Sequence, residues 1–144
     1  MKLKLFFSFI LILLTIYLLP AQDNRDGSEN IINSLKKEKI GIVLYSNDPE
    51  TVWNAFRLAN YSISEGDTVS VFLLGKGVEA KDLKSKVFDI KEKMKEFLDA
   101  GGQILACGTC LSLRKDKGKN SLCTVSSMSD LYSLIKKSDR ILSF

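Results

Sequence analysis

Three short apolar runs, each closed by a turn and followed by a segment of helical period, constrain this fold more than any other feature. They are Lys39-Ile-Gly-Ile-Val-Leu-Tyr45, Asp67-Thr-Val-Ser-Val-Phe-Leu-Leu74 and Gln103-Ile-Leu-Ala106. Runs of this length without regular polar alternation read as strands buried on both faces. After the first, Asp48 and Pro49 open a helix over about 50–64. There Val52, Trp53, Phe56, Leu58, Ala59 and Ile63 fall largely on one side, and Gly66 ends it. Residues 79–89 are polar, with Val87 and Phe88 as apolar anchors, and Ile90, Met94, Phe97 and Leu98 then mark a helix that Gly101-Gly102 stops.

Beyond the third run the pattern predicts a short helix to Arg114 or Lys115, a basic loop over 115–120 and an extended stretch from Leu122 to Val125. Ser126 or Ser127 caps a further helix to about Lys137 with Met128, Leu131, Leu134 and Ile135 inward, and Arg140–Phe144 forms a terminal strand. Alternating strands and helices predict an α/β fold in three layers. It has a mostly parallel five-stranded sheet, helices on both faces and right-handed crossovers. Functional crevices in such sheets lie beyond the carboxyl ends of the strands. The turns after Tyr45, Leu74 and Ala106 therefore bring Asn47, Asp48, Gly75, Lys76, Cys107 and Cys110 to one edge.

The chemistry on that edge is that of thiols. Cys107-Gly-Thr-Cys110 places two cysteines where a strand hands over to a helix, a position that favours the thiolate through the helix dipole and unpaired amides. Gly108 leaves room for a donor to approach, backbone amides near Thr109 could stabilise the anion, and Arg114 is a candidate for holding an anionic sulfur. The chain contains no histidine, which excludes Ser-His-Asp and Cys-His nucleophiles and histidine-ligated metals. Gly75-Lys76-Gly77 lacks the spacing and hydroxyl of a phosphate loop. The spacing leaves several uses of the pair open: a sulfur carrier, a dithiol redox switch, a structural disulfide in a binding domain, or half of a zinc site completed by another chain. The single cysteine at 123 reads as a small buried hydrophobe, with a resolving thiol as the alternative.

Residues 1–21 have a basic start at Lys2 and Lys4, an apolar stretch from Leu5 to Leu19, and Pro20-Ala21 before a polar sequence. This is the plan of a secretory signal cleaved after Ala21, with an uncleaved membrane anchor and a cytosolic domain as the alternatives. The expected organisation is a signal peptide or anchor over 1–21, a linker over 22–38 that ends in one helical turn, and an α/β domain over 39–144. Export would place the protein in the periplasm or another extracytoplasmic space, where a Cys107–Cys110 disulfide could persist. The formal charge is +4, but two of the basic residues lie in this segment, which has no acid. The remainder is almost balanced, so charge gives no case for a nucleic-acid partner.

From about residue 39 to 144 the words and their order resemble the DsrE/DsrF-like family, which includes the TusD-type sulfur-relay subunits. The resemblance rests on Ile40-Gly-Ile-Val-Leu with its polar turn and helix, and on the strand Val69-Ser-Val-Phe-Leu-Leu-Gly75. It continues in Ala100-Gly-Gly-Gln-Ile-Leu-Ala-Cys-Gly-Thr-Cys110 leading to Arg114, and in Ser127-Met-Ser-Asp-Leu131 before the strand ending at Phe144. It implies a three-layer α/β domain, assembly as homotrimers or hexamers, and a persulfide on the cysteine after the third strand, which is Cys107. Cys110 is then a possible resolving thiol. The activity implied is that of a sulfur carrier or sulfurtransferase working between a sulfur donor and an acceptor without a cofactor or metal. An exported member would be separated from the cytosolic relays that serve tRNA modification, and a membrane would be a partner only if residues 1–21 stay attached.

Overall fold

The computed structural model describes residues 36–116 and 122–144. The elements run β1 (Lys39–Leu44), α1 (Pro49–Ser64), β2 (Thr68–Leu73), a 3-10 segment (Gly75–Asp82), α2 (Ile90–Asp99) and β3 (Gln103–Cys107). There follow α3 (Gly108–Leu113), β4 (Thr124–Ser126), α4 (Met128–Lys137) and β5 (Arg140–Ser143). The strands lie in the order β4-β3-β2-β1-β5, and all four pairings are parallel. Right-handed crossovers from β1 through β4 put α1 and α2 on one face, and the return from β4 to β5 carries α4 across the other.

The two faces are built differently. Toward α1 and α2 the strands present Ile40, Ile42, Leu44, Val69, Val71, Leu73 and Ile104, all buried, against Val52, Phe56, Met94 and Phe97. The rings of Phe56 and Phe97 meet edge to face at 5.8 Å. Toward α4, Gly41 alternates with these residues, and a Cβ there would stand 2.5 Å from the Leu134 side chain and 2.6 Å from that of Ile141. The missing side chain lets α4 sit down on β1.

Caps and periodicity explain most element boundaries. Asp48 accepts the Thr51 N–H at the start of α1, with Pro49 in the first turn. Ser127 caps α4 in a reciprocal capping box with Asp130. Several inward faces differ from the sequence reading. In α1, Ala55 and Ser62 are buried while Leu58 is exposed, because the face toward the sheet is rotated from the larger apolar residues. In α4 only Leu131 and Leu134 are buried, and Met128 and Ile135 face outward, since a helix on one strand's width buries a narrow stripe. Val87 is likewise exposed, whereas Phe88 packs on Trp53 with ring centres 5.4 Å apart.

The residues read as a signal or anchor, most of the linker and part of the 115–120 loop lie outside the described residues. Among the described residues no helix is long and apolar enough to cross a membrane.

Candidate functional site

The third strand runs one residue further than its apolar stretch, so Cys107 is its last residue and also the N-cap of α3. Its Sγ accepts the backbone N–H of Cys110 at 3.4 Å, taking the place a Ser or Asp oxygen usually fills in a cap. Cys107 is 4% exposed, and Cys110, one turn on, is half-buried. Both are free thiols, as is Cys123.

Cys110 reaches back to the neighbouring strand end. Its Sγ accepts the N–H of Gly75 at 3.3 Å, which Gly75 can offer because its φ of +55° turns the chain sharply after β2. The Gly-Lys-Gly turn thus presents an amide to sulfur. Burial raises the pKa of Cys110, and the hydrogen bond with the Cys107 thiol raises it further, while the Gly75 amide and the Arg114 charge pull the other way. The expected lowering at a strand-to-helix turn is therefore outweighed at Cys110, because desolvation of a small enclosed sulfur exceeds the pull of one amide and one exposed cation.

Gly77 closes the platform. A Cβ on it would stand 2.0 Å from the Leu44 carbonyl oxygen, so the segment after β2 lies against the end of β1 only because this residue has no side chain. Gly108 is less tightly confined. A Cβ there would stand 3.1 Å from the Val125 side chain, a tight contact against β4.

Of the other predicted residues, Asn47 and Arg114 come together on an acid that the sequence reading missed. Glu79 accepts from the Arg114 Nε with one oxygen and from the Asn47 Nδ2 with the other, the latter at 2.9 Å. Arg114 also donates from Nη1 to the Cys110 carbonyl oxygen at 3.2 Å. These two partners, Arg114 first, hold Glu79 below the usual carboxylate range, with Lys76 adding a weaker pull. Arg114 is thus engaged by a carboxylate and by the Cys110 carbonyl oxygen. The placement of Glu79, four residues past Gly75 on a strand-end segment, was the signal available for it. Asp48 is engaged as the α1 cap, and Thr109 and Lys76 are exposed.

One cavity adjoins this edge and another lies along the α4 face toward the amino ends of the strands. The first, of about 340 Å³, is lined by Val78, Glu79, Asp82, Arg114 and Asp116, beside the cysteine turn. The other, about 460 Å³, runs along α4 past Thr68, Gln103 and Asp130, and neither Cys107 nor Cys110 lines it. At the β1–β5 pair, where the crossover direction reverses, the ladder continues past the strand ends, with the Tyr45 N–H donating to the Phe144 carbonyl oxygen at 2.8 Å. Among the described residues no group of three Cys, Asp or Glu side chains is placed to hold a metal.

Comparison with known proteins agrees with this architecture. The fold matches the ychN protein of E. coli with a TM-score of 0.66 at 15% identity, covering 76% of this chain and all of that one. It also matches BT1422, a conserved protein of unknown function from Bacteroides thetaiotaomicron, with a TM-score of 0.61 at 23% identity over 74% and 95% of the two chains. In sequence it is 29% identical over 100 residues to the uncharacterized protein MJ0989 of Methanocaldococcus jannaschii, covering 66% of this chain and 88% of the relative. It is 26% identical over the same length to MK0008 of Methanopyrus kandleri, also uncharacterized, covering 66% and 83%. The pattern of the DsrE/DsrF-like family matches residues 38–144, from the start of the sheet to the last residue, and on that match the chain belongs to the DsrE/DsrF-like family.

Proposed function

We propose that this protein carries sulfane sulfur as a persulfide on Cys107, with Cys110 as the resolving thiol. The observation that carries the reading is the pairing of these sulfurs at the carboxyl end of a central strand, with Cys107 facing the Cys110 amide and Cys110 facing the Gly75 amide. Membership in a family tied to sulfur relay supports it. In the loading step the Cys107 thiolate attacks the outer sulfur of a donor persulfide, R–S–SH. A sulfur–sulfur bond forms on Cys107, the donor's bond breaks, and the donor leaves as its thiol. An acceptor thiolate then takes the outer sulfur and restores Cys107. If no acceptor arrives, Cys110 attacks the Cys107 sulfur, expels hydrosulfide and leaves a disulfide that an external dithiol must reduce. The near-complete enclosure of Cys107 suits a sulfane sulfur that must be kept from water and stray thiols.

Two further parts of the proposal concern setting. The basic, apolar and small-residue plan of residues 1–21 supports export, and the outward apolar residues Met128, Tyr132 and Ile135, at helical spacing on α4, support a homo-oligomer.

Intact mass of the purified protein after exposure to polysulfide tests the chemistry. The expected result is adducts in steps of about 32 Da, one per added sulfur, that disappear in Cys107→Ser. Their absence from the wild type would remove the carrier reading, and a loss of only 2 Da, about two hydrogens, would favour the dithiol switch. The same measurement on protein from its own host reports whether residues 1–21 have been removed.

A further inference from the structure

Three strand-end loops carry the thiol site, and one side chain joins them. Glu79 sits in the 3-10 segment after β2, Asn47 in the turn after β1, and Arg114 at the end of α3 after β3. The Glu79 carboxylate uses one oxygen for each of the other two. Arg114 holds the backbone of Cys110, and the segment bearing Glu79 begins with Gly75, whose amide meets the Cys110 sulfur. The loop from β1 is fixed independently to this segment by the Leu74 N–H on the Leu44 carbonyl and by the bare face of Gly77.

We propose that Glu79 is a positioning residue: its carboxylate clasps the loops after β1, β2 and β3 so that the Gly75 amide stays on the Cys110 sulfur. The assignment deepens the proposed thiol function, but it concerns the reactivity of Cys110 itself and does not depend on any sulfur having been transferred. Glu79 touches neither thiol in this geometry and acts through Arg114 and the 3-10 segment. The charged and titratable groups facing Cys110 are the Cys107 thiol and the Arg114 guanidinium, with Lys76 and Glu79 around them.

A clasp and a plain counter-charge predict opposite signs. Removing a counter-charge leaves Arg114 unopposed, which favours the Cys110 thiolate and speeds alkylation. Removing a clasp loosens the Gly75 amide and Arg114 together, which disfavours the thiolate and slows it. The experiment measures iodoacetamide alkylation of Cys110 against pH in the full chain carrying Cys107→Ser and Cys123→Ser, with Glu79→Ala and Glu79→Gln added separately. The clasp predicts that Glu79→Ala slows alkylation at pH 8 by about three- to tenfold and moves its pH profile upward, a tenfold change corresponding to one unit of thiol pKa. Glu79→Gln keeps an oxygen for Arg114 and, with the Asn47 amide turned over to present its oxygen, a hydrogen bond to Asn47, and stays within about twofold of the parent. Equal rates in all three proteins, or faster rates in both variants, would overturn the assignment. Should Glu79→Ala fail to fold, Asn47→Ala takes its place, with a slowing of at least about twofold supporting the clasp and an unchanged profile refuting it. A protein that passes this test yet gains no mass from polysulfide would retain the clasp and lose the carrier function.

Discussion

The most demanding test of this architecture is Gly77→Ala. The new methyl would lie 2.0 Å from the Leu44 carbonyl oxygen, 2.8 Å from the carbonyl carbon and 3.3 Å from the Tyr45 Cα, all of them backbone atoms that cannot rotate away. Ordinary contact begins at 3.4 Å, so the 3-10 segment must withdraw from β1 by about 1.4 Å. Such a shift strains the Leu74 N–H bond to the Leu44 oxygen, now 2.9 Å. Overpacking costs about 1–3 kcal/mol and the hydrogen bond about 1 kcal/mol net, giving a destabilisation of about 2–4 kcal/mol. In a domain of this size that lowers the melting temperature by roughly 10–20 °C. Gly101→Ala is the control. Its φ is +91° but nothing lies within 4 Å of the added carbon, so only the backbone cost of about 1–2 kcal/mol applies. Urea unfolding of both variants, followed by circular dichroism, supplies the comparison. If Gly77→Ala unfolded within about 0.5 kcal/mol of the wild type, or cost less than Gly101→Ala, the tight seating of the segment on β1 would be wrong.

Three other outcomes follow from the same contacts. Burial pushes the Cys123 thiol up to about 11, so at pH 8 only about one molecule in a thousand carries its thiolate. Native alkylation should therefore be much slower at Cys123 than at Cys110 and should become ordinary in urea, whereas equal native rates would contradict its enclosure. Phe97, fully buried against Phe56 and beneath Gly102, should cost about 3–5 kcal/mol when replaced by Ala, and a loss below about 1 kcal/mol in denaturant titrations would place it outside the core. Glu79 is held by Arg114 and Asn47 below its ordinary 4.5, so its contribution to stability is fully present above that pH and is lost as pH falls through the lower folded value. The stability gap between wild type and Glu79→Gln should then be constant from pH 6 to 8 and shrink in acid. A gap unchanged down to pH 3 would show that the charge contributes nothing.

The amino-acid sequence by itself determined the five strands, the helices between them, the parallel sheet and the edge on which the cysteines lie. Apolar runs, helical period, caps at Asp48 and Ser127, and glycine stops are local signals, set by neighbours a few residues away. The same reading chose the wrong inward residues at Leu58, Met128 and Ile135, because periodicity marks an apolar stripe without saying which part of it meets the sheet. Only the tertiary structure decided that Gly75 turns its amide to Cys110, that Gly77 is bare for packing, and that Arg114 and Asn47 are taken up by Glu79. Those partners lie 32 to 35 residues apart in the chain. Their meeting depends on the parallel register of β1, β2 and β3, which aligns the strand ends to within one residue, and no single segment of the sequence carries that alignment.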